Sequence, residues 1–260
     1  MDFKLDEGWR VLPIGGETGM AYMGINKNEK VFLKRNTSPF LAALSLEEIT
    51  PKLIWTKRMT SGDTLTAQEW MNGRSLKRSE MTSQKVRNTL YRVHHSELLK
   101  KMLKKVGGQF VTPNDLLTEY LTDLSCDLQA HPVLAAVVSD LQAQQPQLPL
   151  TEYEVCHGDL NHKNWLLSDQ GQLYLVDWDS AKLADPALDL SMLMCQYVPR
   201  KTWKQWLEEY GQEATASFNA RINWYMLMNL LLAIKKYHSR GRFHEMNQDI
   251  YKLAEIYELD

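Results

Sequence analysis

The sequence predicts an α+β fold of two lobes, a β-rich N-terminal lobe over residues 1–70 and a mostly helical lobe over residues 71–260. Short apolar runs separated by turn residues fill the first 70 positions. After Asn72-Gly73 the spacing of apolar residues becomes helical, and 260 residues suffice for two lobes around a sizeable core. The chain is 44% hydrophobic and 24% charged, an ordinary globular composition.

Taken in order, strands are predicted at 9–14, 20–25 and 31–34, with Gly15, Gly16 and Gly19 in the first turn and residues 26–29 in the second. Residues 38–48 suit one short helix, capped by Ser38 before Pro39. Strands at 52–58 and 64–70 are joined by Thr60-Ser61-Gly62-Asp63, a hairpin signal. A helix over 83–99 repeats Val86, Leu90 and Val93. Thr112-Pro113 opens a helix to about 124, and Pro132 one to about 142; residues 144–149 form a polar connector. Helices resume near Asp185-Pro186 and Pro199, followed by a long helix over about 213–238 and a last one over about 247–258. No internal repeat or low-complexity segment stands out.

Thirty basic against 32 acidic residues leave a net charge of −2, so a general polyanion binder is not expected and no nucleic-acid partner is predicted. Lys100, Lys101, Lys104 and Lys105 lack interleaved aromatics and read as a solvated helix end. No stretch approaches the roughly 18 apolar residues of a membrane span, and Met1-Asp2-Phe3-Lys4 begins no secretory leader. Cys126, Cys156 and Cys195 have no paired metal-ligand spacing. They read as core or near-core thiols in a reducing compartment, and a cytoplasmic location is expected.

The strongest chemical signal is Cys156-His157-Gly158-Asp159-Leu160-Asn161-His162-Lys163-Asn164, followed after a short hairpin by Leu173-Tyr174-Leu175-Val176-Asp177-Trp178-Asp179. Phosphoryl transfer to an alcohol needs a carboxylate to orient the hydroxyl and take its proton, an amide or carboxylate to hold metal, and a second carboxylate to bridge metal and phosphates. An Asp and an Asn five positions apart in a tight loop can serve the first two roles. The turn Ser168-Asp169-Gln170-Gly171 would bring Asp177 back beside that loop. A lone Asp or Asn in a turn is usually only a turn former; it is the combination that argues for chemistry. A zinc site on His157 and His162 lacks a second histidine at helical spacing.

The H-G-D-x-x-x-x-N segment with V-D-W-D resembles the aminoglycoside phosphotransferase and choline kinase family, relatives of the protein kinases. The resemblance implies a two-lobed protein-kinase-like fold and an ATP- and Mg²⁺-dependent phosphotransferase acting on a small-molecule alcohol. It implies Asp159 as catalytic base, His157 as the prop of the catalytic loop, Asn164 as a metal ligand and Asp177 as the principal metal ligand. Asp185-Pro186 with Asp189 resembles the family's D-P-x-x-D-L segment, whose aspartate supports that loop. Asp179 has two open readings, metal assistance or a local hydrogen bond.

Gly15, Gly16 and Gly19 would let backbone N–H groups approach phosphates, although they fit no Walker pattern. Lys34, which ends Val31-Phe32-Leu33-Lys34, resembles the phosphate-anchoring lysine; otherwise it is an edge-strand charge. Its usual glutamate partner has only Glu47 and Glu48 as candidates. By the resemblance, Gln68, Glu69 and Trp70 form the hinge that meets adenine. Arg92, His94 and His95 match a helix that packs beneath the site.

For the acceptor, Tyr197, Trp203, Trp206, Tyr210, Trp224 and Tyr225 offer either cation–π contacts to a choline- or thiamine-like alcohol or simply core packing. Asp189, Glu208, Glu209, Glu213 and Asp260 could attract an amino sugar or aminoglycoside, but show no convergence. A nucleotide-binding pseudokinase is a third reading. Asp185 comes only eight positions after Asp177, too close for an activation segment that binds a polypeptide.

Overall fold

The computed structural model describes residues 8–14, 21–27 and 29–258. In chain order it contains β1 (Arg10–Pro13), β2 (Ala21–Asn26), β3 (Glu29–Arg35), α1 (Leu41–Leu46), β4 (Leu53–Arg58), β5 (Thr64–Glu69), β6 (Gly73–Ser75), α2 (Gln84–His94), α3 (Glu97–Lys105), α4 (Pro113–Leu121), α5 (Cys126–Gln129) and α6 (Pro132–Ala143). Then follow β7 (Glu154–Cys156), β8 (Trp165–Ser168), β9 (Leu173–Leu175), β10 (Lys182–Ala184), α7 (Ala187–Tyr197), α8 (Trp203–Tyr210), α9 (Ala216–Ser239) and α10 (Phe243–Glu258). The architecture is two-lobed and protein-kinase-like, with a β-rich N-lobe and a helical C-lobe. Its two compact units are Met1–Gly107 with Asn161–Ser180, and Gly108–Leu160 with Ala181–Asp260.

In the first unit the sheet runs β1-β2-β3-β5-β4, antiparallel throughout. Alternation puts Val31 and Leu33 of β3 and Leu65 and Ala67 of β5 into one buried cluster, against which Trp9, Val11, Tyr22 and Trp55 pack. The Thr60–Asp63 hairpin forms as expected: Met59 N donates to Asp63 O, and Gly62 takes φ +92°.

The helix expected over 38–48 contracts to α1 because Ser38 Oγ accepts from Phe40 N inside a turn that precedes it, and Glu48 already has φ +54°. The helix expected over 83–99 is two, since Ser96 takes extended backbone angles and caps α3 by accepting from Leu99 N. From Gly73 the chain forms a further strand before the helices, β6, which pairs with β8 in a small β6-β8-β9 sheet. Gly73 is required there: a Cβ would lie 2.3 Å from Leu167 O.

The second unit is built on α9, whose buried face includes Trp224, Tyr225, Met228, Leu231 and Ile234. Thr112 and Asp115 form a reciprocal cap on α4. Strands β7 and β10 pair antiparallel and lead into the loop that begins at His157 and into α7 respectively. Of the cysteines, Cys156 is buried and Cys195 partly so, but Cys126 is exposed at the start of α5, contrary to its reading as a near-core thiol. Among the described residues, no helix is long and apolar enough to cross a membrane.

Candidate active site

In the first unit, Leu175 at the end of β9 donates its N–H to Ile49 O, and Val176 donates to Asn164 O at 2.9 Å. That second bond sets Asn164 beside Asp177. Asp177 itself has φ +65°, a left-handed conformation that Asp tolerates better than most residues and that tends to collect at functional sites. Trp178 fixes the turn: its Nε1 donates to Leu175 O at 2.9 Å and its ring meets Phe40 edge-on at 5.9 Å. Asp177 and Asp179 then present half-exposed carboxylates to one cation. Lys34 Nζ lies 2.8 Å from Asp177 Oδ1 and 2.8 Å from Asp179 Oδ2.

Burial works against the Lys34 charge, but hydrogen bonds and attraction from both aspartates outweigh it and hold its ammonium above the usual value. Glu47 does not meet Lys34; its Oε1 accepts from Ser96 Oγ at 2.8 Å, and its backbone carbonyl accepts from Arg92. The carboxylate oxygens of Asp177 and Asp179, with an amide at Asn164, are hard oxygen donors that suit Mg²⁺. The bond of Asp179 to Lys34, 145 positions away, is not a local hydrogen bond.

Gln68, Glu69 and Trp70, the expected hinge, close β5 and precede β6. Gln68 sits opposite Phe32 on one side and Leu53 on the other, and its Nε2 donates to Pro51 O at 2.8 Å. Glu69 N donates to Lys52 O, and Trp70 Nε1 to Asn72 Oδ1 at 3.1 Å. The predicted phosphate turn of Gly15, Gly16 and Gly19 lies outside the described residues. His94 is buried in α2, and His95 stacks on Tyr91 at 4.0 Å. Burial and the neighbouring Arg78 and Lys163 charges keep His162 below its usual range, which favours a neutral ring on the loop.

In the second unit, the loop carrying Asp159 is held by α7. Asp189, fully buried in the first turn of α7, accepts from His157 N at 2.7 Å and from Gly158 N at 2.9 Å. The helix N-terminus favours that negative charge. His157, also fully buried, accepts from Asp159 N at its Nδ1 at 3.2 Å, and Leu160 N donates to Met192 Sδ. These contacts orient Asp159 from both sides. They also correct the reading of Asp189 as a charge that attracts a cationic sugar, since no part of it reaches solvent. Asp260, of the same group, lies outside the described residues. Burial, reinforced by Asp189 and Asp185, pushes the Cys156 thiol far up, so it is an inert core group.

Four of the six aromatic residues considered for the acceptor are core. Trp206, Tyr210, Trp224 and Tyr225 are buried, Trp206 stacks on Tyr210, and Trp224 Nε1 donates to Leu141 O at 2.9 Å. Trp203 is half-buried, donates its Nε1 to Val198 O, and has Arg200 over its ring at 5.3 Å. Two polar residues of α9 that motif reasoning passes over reach this region: Asn229 bonds α7, and Arg221 lies near Asp185, just before it. Asn229 had a visible signal, an amide within the otherwise apolar run from Met226 to Ile234.

Comparison with known proteins agrees with this geometry. Residues 35–221 match the family described as APH, phosphotransferase enzyme family, and the chain belongs to it. A relative from Haemophilus influenzae strain Rd, protein LicA, is 28% identical over 174 residues, covering 65% of this chain and 60% of that protein. The choline kinase LicA of Streptococcus pneumoniae superposes with a TM-score of 0.65 at 18% identity, over 95% of this chain and 93% of that one. The GDP and kanamycin complex of APH(2")-IIia superposes with a TM-score of 0.67 at 14% identity, over 100% of this chain and 95% of that one. At such identities the two structures speak for the fold.

Proposed function

We propose that this protein is an ATP-dependent phosphotransferase that phosphorylates a hydroxyl of a small molecule, with a choline-like cationic alcohol as the favoured acceptor. The observation that carries the reading is Lys34 Nζ at 2.8 Å from both Asp177 and Asp179, with Asn164 tied to the adjacent Val176. A lysine and two carboxylates gathered at one point suit a metal–triphosphate. A nucleotide-binding pseudokinase could use the same groups, so transfer of phosphate to an acceptor is what separates the two readings.

In this reading Lys34, aided by the Gly15, Gly16 and Gly19 turn, binds the phosphates, and the chain from Gln68 and Glu69 to Trp70 borders the adenine. Asp177 and Asn164 would hold Mg²⁺, with Asp179 beside them. When bound, the ion neutralises charge on the phosphates. Asp159, braced by His157 and by the Asp189 clasp, orients the acceptor hydroxyl and takes its proton as the oxygen bonds to the γ-phosphorus. The bond from the γ-phosphorus to the bridging oxygen breaks and ADP leaves.

The choline-like acceptor is supported by the relative named LicA and by the fold likeness to a choline kinase of that name. The burial of Asp189 weakens the case for an aminoglycoside. Purified protein incubated with Mg·ATP and a panel of choline, ethanolamine, thiamine, amino sugars and kanamycin is expected to phosphorylate choline fastest. ATP binding with no transfer to any acceptor in the panel would overturn the enzymatic reading. Transfer to kanamycin alone would overturn the acceptor.

A further inference from the structure

The carboxylate that clasps the catalytic loop is itself held in place from one helix. Asp189 lies in the first turn of α7, and polar contacts from α9 reach that turn before and after it. Four residues upstream, the fully buried Asp185 accepts from Ala187 N at 2.9 Å through Oδ1, while its Oδ2 lies 3.4 Å from Arg221 Nε. Arg221 also packs over the Phe218 ring at 5.1 Å, which limits its swing. Two turns further along α9, Asn229 Nδ2 donates to Leu188 O at 3.1 Å and to Ser191 Oγ at 3.1 Å. Leu188 precedes Asp189 by one residue and Ser191 follows it by two. Ser191 Oγ in turn donates to Leu188 O at 3.0 Å, which closes a small polar triangle in an otherwise apolar interface.

Such an arrangement is costly if packing were its only purpose. A buried ion pair contributes little net stability compared with apolar residues of similar volume, and a half-buried amide in an apolar run has the same defect. What the Asn229 hydrogen bonds and the Arg221–Asp185 charge attraction supply, and apolar contacts do not, is a single register of α7 against α9. We propose that Arg221 and Asn229 are positioning residues: they fix the turn of α7 that carries Asp189, and through Asp189 the backbone of His157-Gly158 that presents Asp159. This rests on the reading of Asp159 as the base.

The test uses Asn229→Leu and Arg221→Lys in the full chain, and the pair Asp185→Asn with Arg221→Met, which removes both buried charges and leaves neither orphaned. Small displacements of a catalytic group can cost up to about 100-fold in rate. The expected result is therefore a kcat lowered about 10- to 100-fold with the nucleotide KM within about twofold of the parent. Faster amide hydrogen exchange at His157 and Gly158 should accompany it, at a nearly unchanged denaturation midpoint. Parental kcat together with parental exchange at those two amides, in Asn229→Leu and in the charge-neutral pair, would overturn the inference. A lowered kcat with parental exchange would also count against it, since the effect would not run through Asp189. Should Asp159→Asn keep its turnover, the reading of the base fails separately, while the exchange measurement still reports whether α9 holds the loop.

Discussion

Replacing Asp189 with asparagine removes a full unit of negative charge from a site that solvent does not reach. The carboxylate accepts two backbone N–H groups at 2.7 and 2.9 Å. Hydrogen bonds to a charged acceptor contribute about 1.5–3 kcal/mol each. Asparagine keeps one acceptor oxygen, now neutral, and turns its NH₂ toward the other backbone N–H. That leaves a buried donor without a partner, at about 1–3 kcal/mol. Together the losses come to about 3–5 kcal/mol, the size seen when one side of a buried charged contact is removed. A folded domain has about 5–15 kcal/mol in all, so the variant should fold but with much of its margin gone. Urea denaturation of parent and variant, followed by circular dichroism, measures this directly when the slope m is unchanged. A loss below about 1 kcal/mol at constant m would refute the account, and would mean that the loop backbone is held by something other than this carboxylate.

Asp159→Asn is expected to bind Mg·ATP nearly as the parent does while turnover falls ~10²–10⁴-fold, the range for a positioned base; turnover within a few-fold of the parent would remove Asp159 from that role. Asp177→Ala should cut turnover by orders of magnitude and weaken the Mg²⁺ dependence of nucleotide binding, so near-parental turnover at saturating Mg·ATP excludes it as a ligand. Asp179→Asn should weaken nucleotide binding more than Glu47→Gln, as titration of both proteins with nucleotide and Mg²⁺ would report; the reverse order would make Glu47 the working partner of Lys34. Hydrogen bonds from Asn36, Arg35 and Ser61 hold Asp63 down at about 2. A depressed carboxylate contributes stability above its ordinary value of 3.8 and loses it as pH falls toward 2. The melting temperature of Asp63→Asn should thus fall less steeply than the parent's over that interval, and parallel curves would contradict it.

The fold was legible where physics is local. Short apolar runs bounded by turn residues placed β1 to β5 to within a residue or two, and Thr112-Pro113 and Pro132 marked the starts of α4 and α6. Failures came where a distant partner decides. Ser96 caps a new helix inside a run whose periodicity reads as continuous, because Ser96 Oγ has both Leu99 N and the Glu47 carboxylate to satisfy. β6 is three residues that pair only because β8 lies opposite, and no three-residue segment signals that alone. For the candidate residues, the spacing of Asp159, Asn164 and Asp177 was readable because all three fall within a short stretch of sequence, one loop followed by one hairpin. The contacts of Arg221 with Asp185 and of Asn229 with Leu188 span 36 and 41 residues in sequence, and nothing local announces them.

The partner of Lys34 shows how a short helix redirects electrostatics. A glutamate can reach across to a strand lysine only from a helix long enough to carry it past the strand. Here α1 ends at Leu46 after six residues, so Glu47 falls at the helix cap and Glu48 in a left-handed turn. Glu47 is then taken up by Ser96 at the start of α3, where it ties the α1 segment down. Lys34, a largely buried ammonium, must still find negative charge, because an unpaired one in that position would be strongly destabilising. The V-D-W-D turn supplies it twice over: Trp178, wedged against Phe40 and bonded to Leu175 O, turns the backbone so that Asp177 and Asp179 face the same way. The second aspartate of that motif thus takes over the balancing of the lysine charge. A metal-bound triphosphate entering the site would meet lysine and carboxylates already gathered at one point, rather than a lysine anchored to a separate helix.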